Sequence, residues 1–183
     1  MRVSQSEIRS AHLAALREEF SDLARRGVWV SGNVFSPIVL VKGELDEAER
    51  AGGELLGGAD GGALRAALLR LGYAPEDFCA LSAVADSGAL PAALFREALE
   101  ALDPEAVLVL DDVAADAMRE AYAEVLADIE DFETATLAPG RLAVVSGRRV
   151  VALDGFERSL SDAREKQRMW AYIKQLPPAG APY

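Results

Sequence analysis

The chain has 183 residues, of which 51% are hydrophobic, and carries a formal net charge of −11 at pH 7. This length allows one domain with a substantial core, and no run of about 18 apolar residues is present to form a membrane-spanning helix. Charges throughout the first 20 residues exclude a secretory signal peptide. A lone cysteine, Cys79, and a lone histidine, His12, exclude an internal disulfide and sites that need several such ligands. We therefore expect a cytoplasmic protein without a bound cofactor.

The net charge is unevenly distributed along the chain. Residues 1–42 sum to +2, residues 43–140 to −17 and residues 141–183 to +4. The middle segment would repel a polyanion, so nucleic acid is disfavoured as a partner, and a small molecule or a protein is expected instead. A simpler interpretation of the acidic excess is a set of solvated helix faces.

The chain begins with a helical pattern over about residues 5–26, for which Ser6 is a start signal and Gly27 a stop signal. Apolar runs then predict strands near residues 37–42, 78–83, 106–110 and 142–153. The last run, "RLAVVSGRRVVAL", is either one strand or a hairpin that bends at Gly147. Residues 177–183 are expected to form a loose tail.

Helical patterns separate these strands. They are "GALRAALLRLG", "LPAALFREALEAL" and "VAADAMREAYAEVLADI", the last capped by Asp111 or Asp112, and "LSDAREKQRMWAYIKQL" closes the chain. Strands that alternate with helices predict an α/β fold, a three-layer αβα sandwich with a central, mostly parallel four-stranded sheet. The continuous apolar runs favour strands that are buried on both faces. The whole chain, 1–183, is expected to be a single domain.

The first of these strands leads into a long loop rich in acid and glycine, "KGELDEAERAGGELLGG". Loops of this kind at strand ends are where α/β proteins usually bind ligands. The loop lacks the Gly-Lys-Ser/Thr ending of a phosphate loop and the G-x-G-x-x-G spacing of a dinucleotide turn, and the chain has no G-x-S-x-G elbow. Its many glycines favour close backbone approach or strained turns, with simple flexibility as the alternative.

The order of the segments resembles the uracil-DNA glycosylase superfamily, especially its compact bacterial and archaeal members with an iron–sulfur cluster. "VWVSGNVFSPIVLVKGEL" resembles the family's first core strand and its Gly-Glu-Ala-Pro-Gly loop. "GGELLGGADGGALRAALLRLG" is similar to the Gly-Arg-Pro-Phe-x-Gly segment. "LFREALEALDPEAVLVLDDVAADAM" matches a helix, strand and helix in spacing, and "VVALDGFERSLSDAREKQRMWAYIKQL" takes the place of the His-Pro motif and final helix. The resemblance covers about residues 28–176, but the cluster cysteines are absent, so a colourless, metal-free protein is expected.

The resemblance implies a catalytic acid and a base pocket, whose motifs are eroded here. Glu44 keeps the acid that positions the attacking water. Leu56 stands where an aromatic ring stacks on the base, and Ser82 is nearest to the asparagine that reads the uracil edge. Asp154 or Gly155 replaces the histidine that supports the departing uracil. The implied pocket comprises Gly43, Leu45, Leu56, Ser82, Asp154 and Gly155.

Each residue also has an interpretation without a ligand. Glu44 could be an acid exposed at a strand end, Ser82 could bond its own backbone, and Leu56 could belong to the core. Two hypotheses follow: a superfamily member that has lost efficient uracil excision but keeps a binding cleft at the C-terminal ends of its strands, or an active glycosylase of altered base specificity. In the second, Glu44 or Asp154 would activate the water.

Overall fold

The structure is a computed structural model that describes residues 5–178, with only the backbone described for residues 5–10 and 12. Most of the predicted C-terminal tail, residues 179–183, lies outside the described residues. Over the described range, no helix combines the length and the apolar character needed to cross a membrane.

The central feature is a mixed six-stranded sheet in the spatial order β1-β3-β2-β6-β8-β7, and a separate small hairpin pairs β4 with β5. The four inner strands are parallel to one another, and the two edge strands run antiparallel to their neighbours. The strands are β1 (Val30–Gly32), β2 (Ile38–Lys42), β3 (Cys79–Ser82), β4 (Val84–Ala85), β5 (Gly88–Ala89), β6 (Ala106–Val109), β7 (Leu142–Val145) and β8 (Arg148–Ala152).

The prediction of a four-stranded, mostly parallel sheet is therefore wrong in two respects: the sheet has six strands, and both of its edge strands are antiparallel to their neighbours. The inner strands were predictable because β2, β3 and β6 are buried at every position. The two edge strands have different patterns from the inner strands. β1 has only three residues, and β7 alternates exposed and buried side chains, as is usual for an edge strand with one solvent-exposed face. Ser146 and Gly147, both with positive φ, form the two-residue turn that joins β7 to β8, so the hairpin alternative is correct.

Helices pack on both faces of this sheet. Strand residues such as Val39, Val41 and Val107 face the layer that contains α1, α4, α5 and α6, whereas Ile38 and Leu40 face the layer of α3, α8 and α9. The helices are α1 (Gln5–Arg25), α2 (Glu47–Arg50), α3 (Ala59–Arg70), α4 (Ala92–Leu102), α5 (Asp112–Ala121), α6 (Ala123–Ala127), α7 (Phe132–Ala135), α8 (Phe156–Ser159) and α9 (Ala163–Ile173).

The predicted N-terminal helix is present as α1, and it ends just before Gly27, whose φ is +95°. Among the apolar residues of this helix, Leu23 is fully buried and Phe20 packs beside it, but Leu13 is exposed. The helix thus docks on the sheet mainly through its last turns.

Candidate functional site

A crevice forms where the loops after β2 and β6 leave the sheet in opposite directions. The chain after β2 leads to α3 on one face, and the chain after β6 leads directly into α5 on the other. Because β2 and β6 are neighbouring parallel strands, their C-terminal ends define a topological switch point, the position where open α/β sheets bind ligands. We call this the switch-point crevice, formed by residues 42–45, 110–111 and 155–158.

Asp111 fixes the geometry of the crevice. One carboxylate oxygen accepts hydrogen bonds from the backbone N–H groups of Gly43 (2.9 Å) and Glu44 (3.0 Å), and the other accepts from Ala114 N–H at 2.9 Å. Asp111 therefore caps α5, as its position in the sequence suggested, and Asp112 does not. Its second function, holding the loop after β2, could not be inferred from the capping pattern.

Gly43 is the point of closest approach between the two loops. A β-carbon at this position would lie 2.6 Å from Cβ of Val113 and 2.7 Å from the backbone nitrogen of Ala114. Both distances are shorter than any real contact of this kind, so only glycine allows the first turn of α5 to lie against the end of β2. Gly43 is therefore needed for the close packing of β2 against α5.

Lys42 is the buried cation of the site, and its side chain is only 3% exposed. Its Nζ donates to Oδ2 of Asp60 at 2.7 Å, lies 2.8 Å from Oε2 of Glu49, and lies 3.3 Å from Oε2 of Glu157. Asp60 and Glu49 are themselves buried, whereas Glu157 is half exposed. One ammonium group therefore holds carboxylates from three separate helices.

The pKa of Lys42 reflects two opposing effects. Burial alone lowers the pKa of this amine, but the hydrogen bonds and charges of Asp60 and Glu49 outweigh burial and leave the pKa raised above its ordinary value. Lys42 is therefore a permanent cation at physiological pH. It is not available as a general base or as a nucleophilic amine.

Glu49 organises the acidic, glycine-rich loop from within. Its carboxylate accepts from the backbone N–H of Asp46 and from that of Leu56, each at 2.8 Å, in addition to its contact with Lys42. Leu56 has a φ of +55°, a left-handed conformation that leucine rarely adopts. Its side chain is fully buried among core residues, so the loop is a packed structure built around Lys42.

Glu44 and Gly155 meet across a small cavity in the crevice. The cavity volume is about 10 Å³, which is at the lower limit for a single water molecule. The Glu44 carboxylate is partly buried and forms no hydrogen bond or ion pair with the described residues. The other lining residues are Lys42, Asp60, Leu110, Asp111, Phe156, Glu157 and Arg158.

Arg158 supplies a cation that the sequence comparison missed. Gly155 has a φ of +68°, and a β-carbon built on it would lie 2.4 Å from Nη2 of Arg158, so the guanidinium lies directly against this glycine. No carboxylate within the described part of the chain pairs with Arg158. α8 therefore places a cation beside Gly155, one of the two residues that the resemblance puts at the histidine position.

Five of the predicted residues do not line this cavity, and two of them, Ser82 and Asp154, have partners elsewhere. The Ser82 side chain is fully buried, and its hydroxyl donates to the Val84 carbonyl at 2.7 Å and accepts from the Val84 N–H at 3.2 Å. The alternative that Ser82 bonds its own backbone is thus confirmed. Asp154 is half exposed and forms an ion pair with Arg168 at 3.1 Å, on the outer side of the loop.

A larger groove adjoins the crevice at the C-terminal ends of β2 and β3. Gly43 and Leu45 line it together with Trp29, Arg50 and the β4–β5 hairpin, and its volume is about 1170 Å³. The predicted pocket residues therefore divide between this groove, the small cavity and the core. They do not surround one common space.

Lys42, which sequence reasoning missed, has a recognisable signal in the sequence. Lys42 is in phase with Ile38 and Leu40 on β2, so strand alternation places its side chain toward the buried layer beneath α3. A lysine at such a position needs a carboxylate partner, and the following loop supplies several. This pattern was available in the sequence, although it did not identify Asp60 and Glu49 among the acids.

The structure shows neither a metal-ligand cluster nor an exposed thiol among residues 5–178. No group of three or more histidine, cysteine or acidic side chains within residues 5–178 has a geometry that could hold a metal ion. Cys79 is fully buried in β3, and burial raises the pKa of its thiol to about 12. The thiol therefore stays protonated and is unsuited to act as a nucleophile.

Comparison with known proteins assigns no family to this arrangement. Neither the scan against protein-family models nor the search of curated proteins gives a match for this chain.

Proposed function

We propose that this chain is a uracil-DNA-glycosylase-like domain that has lost efficient uracil excision and keeps a binding cleft at the C-terminal ends of its parallel strands. The supporting features are four parallel strands, a crevice at their switch point, and an acid, Glu44, directly after the first of them. They agree with the segment order that carries the resemblance.

The main support for a loss of uracil excision is the small size of the cavity beside Glu44. Base excision requires the target nucleotide to leave the helix and enter a pocket that holds it by stacking and by hydrogen bonds to its edge. A volume of about 10 Å³ has no room for a base. Leu56 and Ser82, which correspond to the stacking and reading residues, are fully buried and already bonded or packed within the protein.

The binding cleft of this proposal is the groove lined by Gly43 and Leu45. Its volume of about 1170 Å³ is sufficient for a small molecule or for a segment of a partner protein. Its lining carries Arg25, Arg26 and Arg50 beside the acidic Glu49 and Asp86, so the groove itself has no acidic excess. The −17 charge of residues 43–140 as a whole is what disfavours nucleic acid as the occupant.

Binding to single-stranded DNA tests the base-recognition part of the proposal. Two labelled oligonucleotides that differ only in one uracil or thymine would be titrated at low salt, with fluorescence anisotropy as the readout. We expect weak, salt-sensitive binding that does not distinguish the two. Tighter binding to the uracil strand would contradict the proposal if this preference disappeared in Leu45→Arg. The new side chain obstructs the groove beside Gly43. Because its positive charge by itself favours DNA binding, a loss of binding would have to come from the obstruction.

Arg158 is the observation that favours the second candidate, an active glycosylase of altered specificity. A guanidinium beside Gly155 is suitably charged to stabilise a departing base anion, which an aspartate at residue 154 would repel. In that case Glu44, whose carboxylate has no partner among the described residues, would activate the water. This candidate requires the crevice to open, and it predicts that activity depends on both Glu44 and Arg158.

A further inference from the structure

A second groove lies on the opposite side of α8 from the switch-point crevice, between α3 and α9. Its volume is about 530 Å³, and apart from Phe156 it shares no lining residue with the cavity beside Glu44. Its α3 wall is formed by Ala59, Ala63, Ala66 and Ala67. We call it the α3–α9 groove. Its existence does not depend on whether the chain excises bases.

The walls of the α3–α9 groove are apolar, and its edge is cationic. Phe156, Leu160, Trp170 and Ile173 face the alanines from α8, α9 and the turn between them. Arg70 and Lys166 also line the groove, and neither is ion-paired within the described residues. The Arg70 guanidinium lies 5.8 Å from the centre of the Trp170 ring, which places this charge at the apolar wall.

Arg70 and Lys166 belong to a group of described basic side chains that form no ion pair, which also includes Arg17, Arg50, Arg158, Arg164 and Lys174. Arg26, Arg96 and Arg141, by contrast, are paired with glutamates. No acidic side chain lines the α3–α9 groove. An apolar channel that is edged by positive charge complements a ligand with an apolar body and a single negative group.

The dimensions of the groove select among such ligands. From Ala59 to Arg70, α3 rises roughly 16 Å at about 1.5 Å per residue, and the volume of the groove is about 530 Å³. A groove that is long for its volume suits an extended hydrocarbon chain better than a compact ring system.

We propose that the α3–α9 groove binds a medium-chain acyl carboxylate, with the chain along the alanine wall and the carboxylate paired with Arg70 and Lys166. The apolar walls provide the affinity for the chain, and the two cations select a charged head group over a neutral one.

Isothermal titration calorimetry on the full chain tests this proposal with decanoate as the probe and decanol as its neutral counterpart. We expect saturable 1:1 binding of decanoate and at least about tenfold weaker binding of decanol, because the alcohol lacks the charge-assisted hydrogen bonds. No saturable binding of decanoate, or equal affinity for the two compounds, would overturn the proposal.

Three variants locate the site. Ala66→Leu fills the groove while keeping a strong helix former on α3, and we expect it to abolish binding. The double variant R70A/K166A should weaken decanoate binding at least about tenfold without changing that of decanol. Arg164→Ala removes a neighbouring cation of α9 that does not line the groove, and it should have no effect. Unchanged binding in A66L or in R70A/K166A contradicts the assignment.

Light scattering on the same samples separates a ligand from a second copy of the chain. The proposal predicts that the wild type and A66L have the same mass in solution. A dimer in the wild type that A66L converts to a monomer would show that another chain fills the groove, and it would overturn the acyl assignment.

Discussion

Lys42 connects the sheet to the loop that shapes the candidate site. Its two buried partners, Glu49 and Asp60, belong to α2 and α3, so a single ammonium group determines where both helices begin relative to β2. Lys42 and Asp60 also form a wall of the cavity beside Glu44. The small size of that cavity is therefore a consequence of how the buried charges are neutralised.

The first prediction concerns the loss of this cation. Lys42→Met should reduce the free energy of unfolding by about 3–5 kcal/mol, because it leaves two buried carboxylates without their positive partner. Urea unfolding followed by circular dichroism measures this. The matched control is Arg26→Ala, which breaks an exposed ion pair with Glu97 and should have a far smaller effect. A similar small loss in both variants would show that Lys42 is not a structural cation.

The pH dependence of the Lys42 contribution follows from the direction of its pKa shift. Its folded-state pKa is raised above the ordinary value of 10.5, so the stabilisation is fully present below 10.5 and is lost as the pH rises through the folded-state pKa. From neutral pH to about 10, the stability difference between wild type and K42M should therefore not decrease. A difference that already decreases near neutral pH would contradict the raised pKa.

Residue identities at the site were partly predictable from the sequence. Glu44 and Gly155 do meet across one cavity, because both follow parallel strands that end at the same edge of the sheet. Arg158 was not found, since a comparison position by position cannot show that a side chain three residues later folds back onto Gly155. Leu56 was ambiguous between pocket and core, and its hydrogen bond to Glu49 resolves the ambiguity in favour of the core.

At the scale of elements, the crevice depends on the contact between the end of β2 and the start of α5. Gly43 permits the contact, and Asp111 bonds across it. The sequence identified the parallel inner strands and the helices between them from continuous apolar runs. It did not identify β1 and β7 as sheet edges, because such short or alternating strands are defined by their partners rather than by their own pattern.

A glycine substitution tests the β2–α5 contact. Gly43→Ala should cost about 1–3 kcal/mol, because its β-carbon would overlap Val113 and the backbone of Ala114. Gly62→Ala is the matched control: it lies in α3 with no atom within 4 Å of its β-carbon, so we expect a gain of about 0.5–1 kcal/mol. Thermal unfolding of the two variants should thus shift in opposite directions, and a stabilised G43A would refute the contact.

Asp111 provides a second test of the same contact. Asp111→Ala removes the acceptor for three backbone N–H groups and should cost roughly 2–4 kcal/mol, beyond the loss of an ordinary helix cap. Asp162→Ala removes the exposed cap of α9 and should cost about 1 kcal/mol. Equal losses in the two variants would show that the bonds from Gly43 and Glu44 contribute nothing.

On the scale of the whole molecule, two opposing features determine the function we propose. The segment order and the switch-point crevice agree with a glycosylase-like domain, whereas the closed cavity and the acidic middle of the chain oppose the extrusion and binding of a nucleotide. Glu44 and Arg158 are the features that would assist excision. The decisive question is therefore whether Glu44 and Arg158 can act on a base at all.

Single-turnover release of uracil from a single-stranded oligonucleotide, with protein in excess, answers this question most directly. Abasic sites would be detected by alkaline cleavage for the wild type, Glu44→Gln and Arg158→Ala. Our account predicts no release above the protein-free blank for any of the three. Our account would be contradicted if the wild type released uracil, if this release disappeared in E44Q, and if its rate fell about 100- to 1000-fold in R158A. That result would establish an active glycosylase.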